Sequence, residues 1–200
     1  MKLIYSLIAL LMAATSAAAH KTYDLQTLQQ SKVAEAKGDI NGDGINDIAI
    51  IAAPIKNEPI LAIFWGEKGG QYKLFKTYTT LLPKNHEEYI IHDYSIEITK
   101  RKTLIFSLNQ WASAGGWGTT TISYTSRYQD GDFFVIGKDY ETMQRNSGDA
   151  TDDSYNYLTG KRITRQFNAF DSKKKPKTTT KFFPKKPLTS LSTLNLANEF

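Results

Sequence analysis

Residues Thr119–Tyr140 read TTTISYTSRYQDGDFFVIGKDY, and this stretch decides the fold. Apolar and aromatic side chains recur at every second position on either side of Gln129-Asp130-Gly131-Asp132. That is the period of a half-buried strand, and Asp-Gly supplies the positive φ angles that a tight hairpin turn needs. Working outward, further short runs rich in Ile, Val, Thr, Tyr and Phe lie at Ile48–Ala53, Leu61–Glu67, Gln71–Tyr78, Tyr94–Thr99, Thr103–Leu108 and Lys161–Phe167. Turn-formers such as Lys68-Gly69-Gly70 and Thr159-Gly160 separate them. Only Tyr23–Glu35 has much helical potential. The expected fold is all-β, an antiparallel sandwich or a rolled sheet with a short N-terminal helix. No internal repeat stands out.

The chain has 200 residues, 40% of them hydrophobic and 22% charged, which suits one globular domain with a buried core. It contains no cysteine, which removes disulfides, thiolate metal sites, a cysteine nucleophile and a lipid-bearing cysteine.

Met1–Ala19 reads MKLIYSLIALLMAATSAAA: one positive charge at Lys2, an apolar stretch, then small residues ending in an A-x-A pattern. This is the layout of a secretory signal peptide with cleavage after Ala19, and it is short for a membrane anchor. The expected product is a soluble exported protein, periplasmic or secreted, with no membrane span. Absence of cysteine fits a bacterial periplasm better than an animal secretome.

Charge is unevenly placed. His20–Ser172 carries 17 Lys and Arg against 19 Asp and Glu, whereas Lys173–Phe200 carries 7 Lys against Glu199 alone. The run KKKPKTTTKFFPKKP, Lys173–Pro187, could touch an anionic surface through its lysines, residues 173–186, or simply be a solvated edge. Without aromatic stacking positions or arginines for base readout, nucleic acid is not expected as a partner. Pro187–Phe200 alternates again and is expected to return as a closing strand. The resulting division is 1–19 signal peptide, 20–172 all-β domain, and 173–200 basic segment with that strand.

The sharpest chemical motif is Asp39-Ile40-Asn41-Gly42-Asp43-Gly44-Ile45-Asn46-Asp47. Oxygen-bearing side chains stand at its positions 1, 3, 5 and 9, with Gly44 at 6 for the sharp turn and the Ile45 carbonyl at 7. Calcium takes six to eight oxygens, and a curled loop offers alternate side chains to one centre. The candidate ligands are therefore Asp39, Asn41, Asp43, Ile45 and Asp47, for one structural calcium. The alternative is an Asp/Asn/Gly turn that binds no ion. An EF-hand is excluded, because position 12 is Ile50 instead of Glu and the sequel IAIIAA is a buried-strand run.

This D-x-N-x-D-G-x-x-D pattern followed by a hydrophobic strand resembles the calcium loop of FG-GAP (integrin α-like) and VCBS repeats. The likeness covers Ala36–Ile55, and one copy cannot build the propeller of those proteins. The chain also resembles a group of small exported bacterial proteins that pair one such loop with a later signature. Here that signature is Arg127–Phe133, Ile136-Gly137 and Asn156–Lys161. The resemblance implies topology and a periplasmic compartment more than an activity.

Other chemistries lack their residues. His86-Glu87-Glu88-Tyr89-Ile90-Ile91-His92 places its histidines six apart, so H-E-x-x-H fails, although two histidines on one strand face leave a weak transition-metal site open. Ser113–Thr119 is glycine-rich without a phosphate-binding fingerprint, and no G-x-S-x-G elbow occurs. Trp111 and Trp117 flank that loop and could form a recognition surface for a sugar or a protein, or pack beneath the hairpin. Asp130, Asp132, Asp152 and Asp153 supply carboxylates without a readable pairing. The expected function is a non-catalytic binding module with another protein as partner, one version being an immunity-type inhibitor. The alternative is an envelope-polymer hydrolase with a structural calcium site.

Overall fold

The computed structural model describes residues 23–56, 58–83, 91–111 and 117–196; the side chains of residues 91, 92 and 111 lie outside that description. Among these residues the chain forms two antiparallel sheets and one short helix. The four-stranded sheet runs in the order β1 (Lys32–Gly38), β2 (Asp47–Ile55), β3 (Glu58–Gly66), β4 (Tyr72–Tyr78). The seven-stranded sheet is likewise a meander: β5 (Ile91–Ile98), β6 (Thr103–Trp111), β7 (Gly118–Gln129), β8 (Asp132–Gln144), β9 (Asp149–Asn156), β10 (Lys161–Asn168) and β11 (Lys177–Phe182).

The decisive hairpin is β7–β8, turning at Asp130 (φ 50°) and Gly131 (φ 80°). Both angles are positive, as a type I′ turn requires. Alternation then does its work on one face. Leu104, Phe106, Leu108, Ile122, Tyr124, Phe133 and Val135 are buried against Ala49, Ile51, Leu61 and Ile63 of the smaller sheet. At one end Trp65, Phe75, Tyr128 and Phe133 pack ring on ring, with Trp65–Phe75 centroids 4.4 Å apart and Trp65–Tyr128 5.1 Å apart. Each such pair adds about 0.5–1.5 kcal/mol beyond area burial.

The two central strands of the smaller sheet, β2 and β3, are buried on both sides, which is why β2 reads IAIIAA without alternation. Its outer residues Ile48, Ile50, Ile60, Ala62 and Phe64 pack with Tyr23 and Leu28. Leu28 belongs to helix α1 (Leu25–Gln30), capped by Asp24, whose carboxylate accepts the Thr27 N–H at 2.7 Å. Six residues cannot hold a helix by themselves. Burial of Leu28, about 1.5–3 kcal/mol, fixes it to the sheet.

The helix expected over Tyr23–Glu35 is thus shorter. Lys32–Gly38 is strand β1, because pairing with β2 from Lys32↔Ala52 to Gly38↔Asp47 outweighs the helical preference of its Ala, Glu and Lys. The basic segment contributes β11, paired to β10 and exposed at every residue. The described part of the expected closing strand is no strand. Pro187–Leu196 makes a single bridge, Phe134↔Ser190, and inserts Leu191 and Leu196 into the core. Proline and the serine-rich turn that follows favour this irregular strap over a ladder. No helix among the described residues is long and apolar enough to cross a membrane. The signal-peptide residues, Met1–Ala19, lie outside the described residues.

Candidate functional site

The loop Asp39–Asn46 joins β1 to β2, and the last ladder pair, Gly38↔Asp47, closes its neck. Alternate polar side chains turn back onto the loop's own amides. Asp39 Oδ1 accepts from Gly42 N at 2.6 Å and its Oδ2 from Gly44 N at 3.1 Å. Asn41 Oδ1 accepts from Asp43 N at 2.9 Å, and Asp43 Oδ1 from Ile45 N at 2.7 Å. Asn41 Nδ2 donates to Asp43 Oδ2 at 3.1 Å. These are Asx turns, the local structure that Asp and Asn favour. Gly44, at φ 86°, takes the left-handed conformation expected for the sharp turn.

Asp47 is different. It is fully buried, and its Oδ2 accepts from Ile40 N at 2.8 Å and Asn41 N at 3.3 Å, while Oδ1 accepts from Gly66 N at 2.9 Å. Burial pushes its carboxyl above the usual range despite those three bonds, and the Asp43 charge adds to the push. Asp47 therefore staples the loop to the end of β3. Gly66 makes the staple feasible: a Cβ there would stand 2.2 Å from the Asn46 carbonyl oxygen.

A lysine comes from elsewhere in the chain. Lys102, in the β5–β6 turn with φ 59°, sets its Nζ 2.9 Å from Asp39 Oδ2. This bond, with those from Gly42 and Gly44, holds the Asp39 carboxyl below the usual range. Neither Lys102 nor Gly66 carries a signal in the sequence, since each acts through a contact made only in the folded chain.

The donor set is all oxygen, which suits a hard cation. Its arrangement is divided: Asp39 and Asp43 serve the loop, while Asp47 is drawn into the body. Among the described residues no three His, Cys, Asp or Glu side chains form a group that could hold a metal ion. A carboxylate has about four lone-pair sites. Asp39 has Gly42, Gly44 and Lys102 as donors, and Asp47 has Ile40, Asn41 and Gly66, whereas Asp43 has Ile45 and Asn41. Asp43 thus retains the most acceptor capacity, and an ion gaining Asp39 competes directly with the Lys102 ammonium.

The remaining candidates are scattered. Trp117 is 60% exposed, with its carbonyl accepting the Arg145 N–H at 2.8 Å and the guanidinium 5.9 Å from its ring. Trp111 ends β6, but its side chain, like that of His92 and all of His86 and residues 112–116, lies outside the described residues. Asp153 is clamped by Arg162 through Nε at 3.0 Å and Nη2 at 2.7 Å. Asp132 accepts from Tyr78, Ser190 and Ser192, so it is a structural node. Glu141 faces Asp152 across the β8–β9 ladder; partial desolvation and the like charges of Asp152 and Asp139 push its carboxyl up. Comparison with protein-family models, with curated proteins and with solved structures finds no match for this chain.

Proposed function

We propose that this chain is an exported, non-catalytic binding module whose Asp39–Asp47 loop takes one structural calcium ion. The observation that supports this reading is the loop itself: oxygen donors on alternate residues, curled about Gly44 and ending in the buried Asp47 at the start of β2. The resemblance to FG-GAP and VCBS loops points the same way. With a Kd of about 0.1 mM, ordinary for extracellular modules, calcium at about 1 mM would add about 1.4 kcal/mol of stability. The ion acts as a clasp between β1 and β2. Asp39, Asn41, Asp43 and the Ile45 carbonyl would hold it, with Asp47 contributing its remaining lone pair.

Export to the periplasm rests on Met1–Ala19, and N-terminal analysis of the exported chain should find His20 first. The partner we favour is another protein, in one version a toxin neutralised by this chain, with the exposed Trp117 and neighbouring Trp111 as contact residues. Thermal unfolding in EGTA, then calcium, with magnesium as control, tests the clasp. A calcium-selective rise in Tm abolished by Asp43→Ala supports it, and no shift reduces the loop to a turn. Recovery of no toxin-like protein by affinity capture in saturating calcium overturns the inhibitor version.

An envelope-polymer hydrolase is the second reading, favoured only by Glu141 and Asp152, opposed carboxylates of which one is pushed up. Turnover of a cell-wall polymer lost in Glu141→Gln but kept in Asp43→Ala would establish it.

A further inference from the structure

Between strands β7 and β8 and the segment Phe183–Leu194 lies a cleft of about 480 Å³, unrelated to the calcium loop. Its floor is the core face of the larger sheet, where Tyr124 and Val135 are buried, and Tyr157 and Phe183 form an aromatic side wall. The roof is pinned to the larger sheet at two points. Phe183 N donates to the Gly160 carbonyl at 2.8 Å, and Val135 N donates to the Thr189 carbonyl at 2.9 Å. Between those two points Pro184 and Pro187 bring no N–H, so this span cannot zip onto a strand. Leu191, buried beyond Thr189, fixes the far end of the strap. An open chamber remains where a sandwich would ordinarily be filled.

The size falls within the range of small-molecule sites, and the chemistry is that of such a site: apolar walls with a few placed polar groups. Among the residues that line the cleft, Lys186 is the one charged group and no carboxylate is present. Water beside three aromatic rings gains little, whereas an apolar body recovers their contact area. An ammonium at the edge selects an anion at the other end of such a body.

We infer that this cleft binds a small carboxylate with an apolar body, the body lying against Tyr124, Tyr157 and Phe183 and the carboxylate meeting Lys186. The proposal is independent of the calcium reading, because the cleft shares no residue with the loop.

Calorimetric titration of the full chain with 2-naphthoate, with decanoate and with the methyl ester of 2-naphthoate tests it, each with and without calcium. The expected result is saturable one-to-one binding of at least one anion, the better of the two showing whether the body is aryl or alkyl. Lys186 is exposed, and Lys186→Ala should weaken the anion about tenfold, the loss of one charge-assisted bond. The ester should be unaffected by that change. Leu188→Trp, which adds bulk at a lining residue, should abolish binding of all three. Absence of saturable binding for both anions overturns the proposal. So does equal weakening of acid and ester by Lys186→Ala, or binding that survives Leu188→Trp in a chain with an unchanged melting profile.

Discussion

Tyr78 Oη donates a 2.7 Å hydrogen bond to Asp132 Oδ1, joining the last strand of the smaller sheet to the hairpin turn of the larger one. The same carboxylate accepts from Ser190 and Ser192 of the C-terminal strap and from the Phe133 N–H at 2.9 Å, and it lies 3.2 Å from Lys76 Nζ. Three separate parts of the chain therefore meet on one side chain that is 14% exposed. Hydrogen bonds to a charged group are the strong ones, and the three from Tyr78, Ser190 and Ser192 each span more than fifty residues.

Asp132→Ala should remove that node and leave the Tyr78 hydroxyl facing a hole. We expect a loss of about 2–4 kcal/mol in urea unfolding, against about 1 kcal/mol for Tyr78→Phe. A double-mutant cycle should give a coupling well above zero, because the two residues share one bond. Additive losses would mean that Asp132 acts through the strap, Lys76 and its own turn without Tyr78.

The acid limb of the stability curve should carry the same signature. Burial alone would raise the Asp132 carboxyl, but the bonds from Ser190, Ser192, Tyr78 and Phe133 outweigh it and hold the group well below the usual range. A depressed folded pKa stabilises the fold above the unfolded value, near pH 4, and that contribution drains away as pH falls through the folded value. Asp132→Asn should therefore be less stable than the parent by about 1–3 kcal/mol near neutrality, the gap narrowing steadily below about pH 4. A constant gap from pH 7 to pH 2 would deny the linkage.

The elements legible in the sequence are those whose burial differs from one face to the other or is complete. Alternation in β7 and β8 and the unbroken apolar run of β2 announce strands because packing, which patterns sequence, is what makes them. In contrast β11, KTTTKF, is exposed at every residue and is ordered by its ladder with β10, which leaves no hydrophobic trace. Strand β9, DATDDSYN, buries little beyond Ala150 and is equally silent. At the loop, the residue types and the turn at Gly44 were readable, but the destiny of Asp47 was not. Its partner Gly66 is 19 residues away, and only the β2–β3 register sets the two side by side.

Gly66→Ala should be costly for a positional reason. The new methyl would collide with the Asn46 carbonyl at 2.2 Å and the Ile45 side chain at 2.8 Å, pushing β3 off the loop and stretching the Gly66–Asp47 bond. We expect a loss of about 2–3 kcal/mol. Gly118→Ala is the control: its methyl would meet only Gln144 Nε2, at 3.6 Å, and the loss should stay within about 0.5 kcal/mol. Equal melting temperatures for the two variants would show that loop and strand separate freely.

Lys102 offers the most discriminating test of the calcium clasp. Its ammonium already neutralises Asp39 at 2.9 Å, so an incoming ion must displace it or share the carboxylate with a like charge. Lys102→Ala removes the competitor and should tighten calcium binding about two- to fivefold, measured by titration at low salt, because the pair is solvent-exposed and weak. The gain should shrink as salt screens the lysine in the parent chain. Asp43→Ala in the same background should abolish binding, since Asp43 holds the loop's largest unused acceptor capacity. If Lys102→Ala weakens calcium binding instead, the lysine shapes the loop for the ion. The pairing with Asp39 would then be part of the site, not a substitute for its occupant.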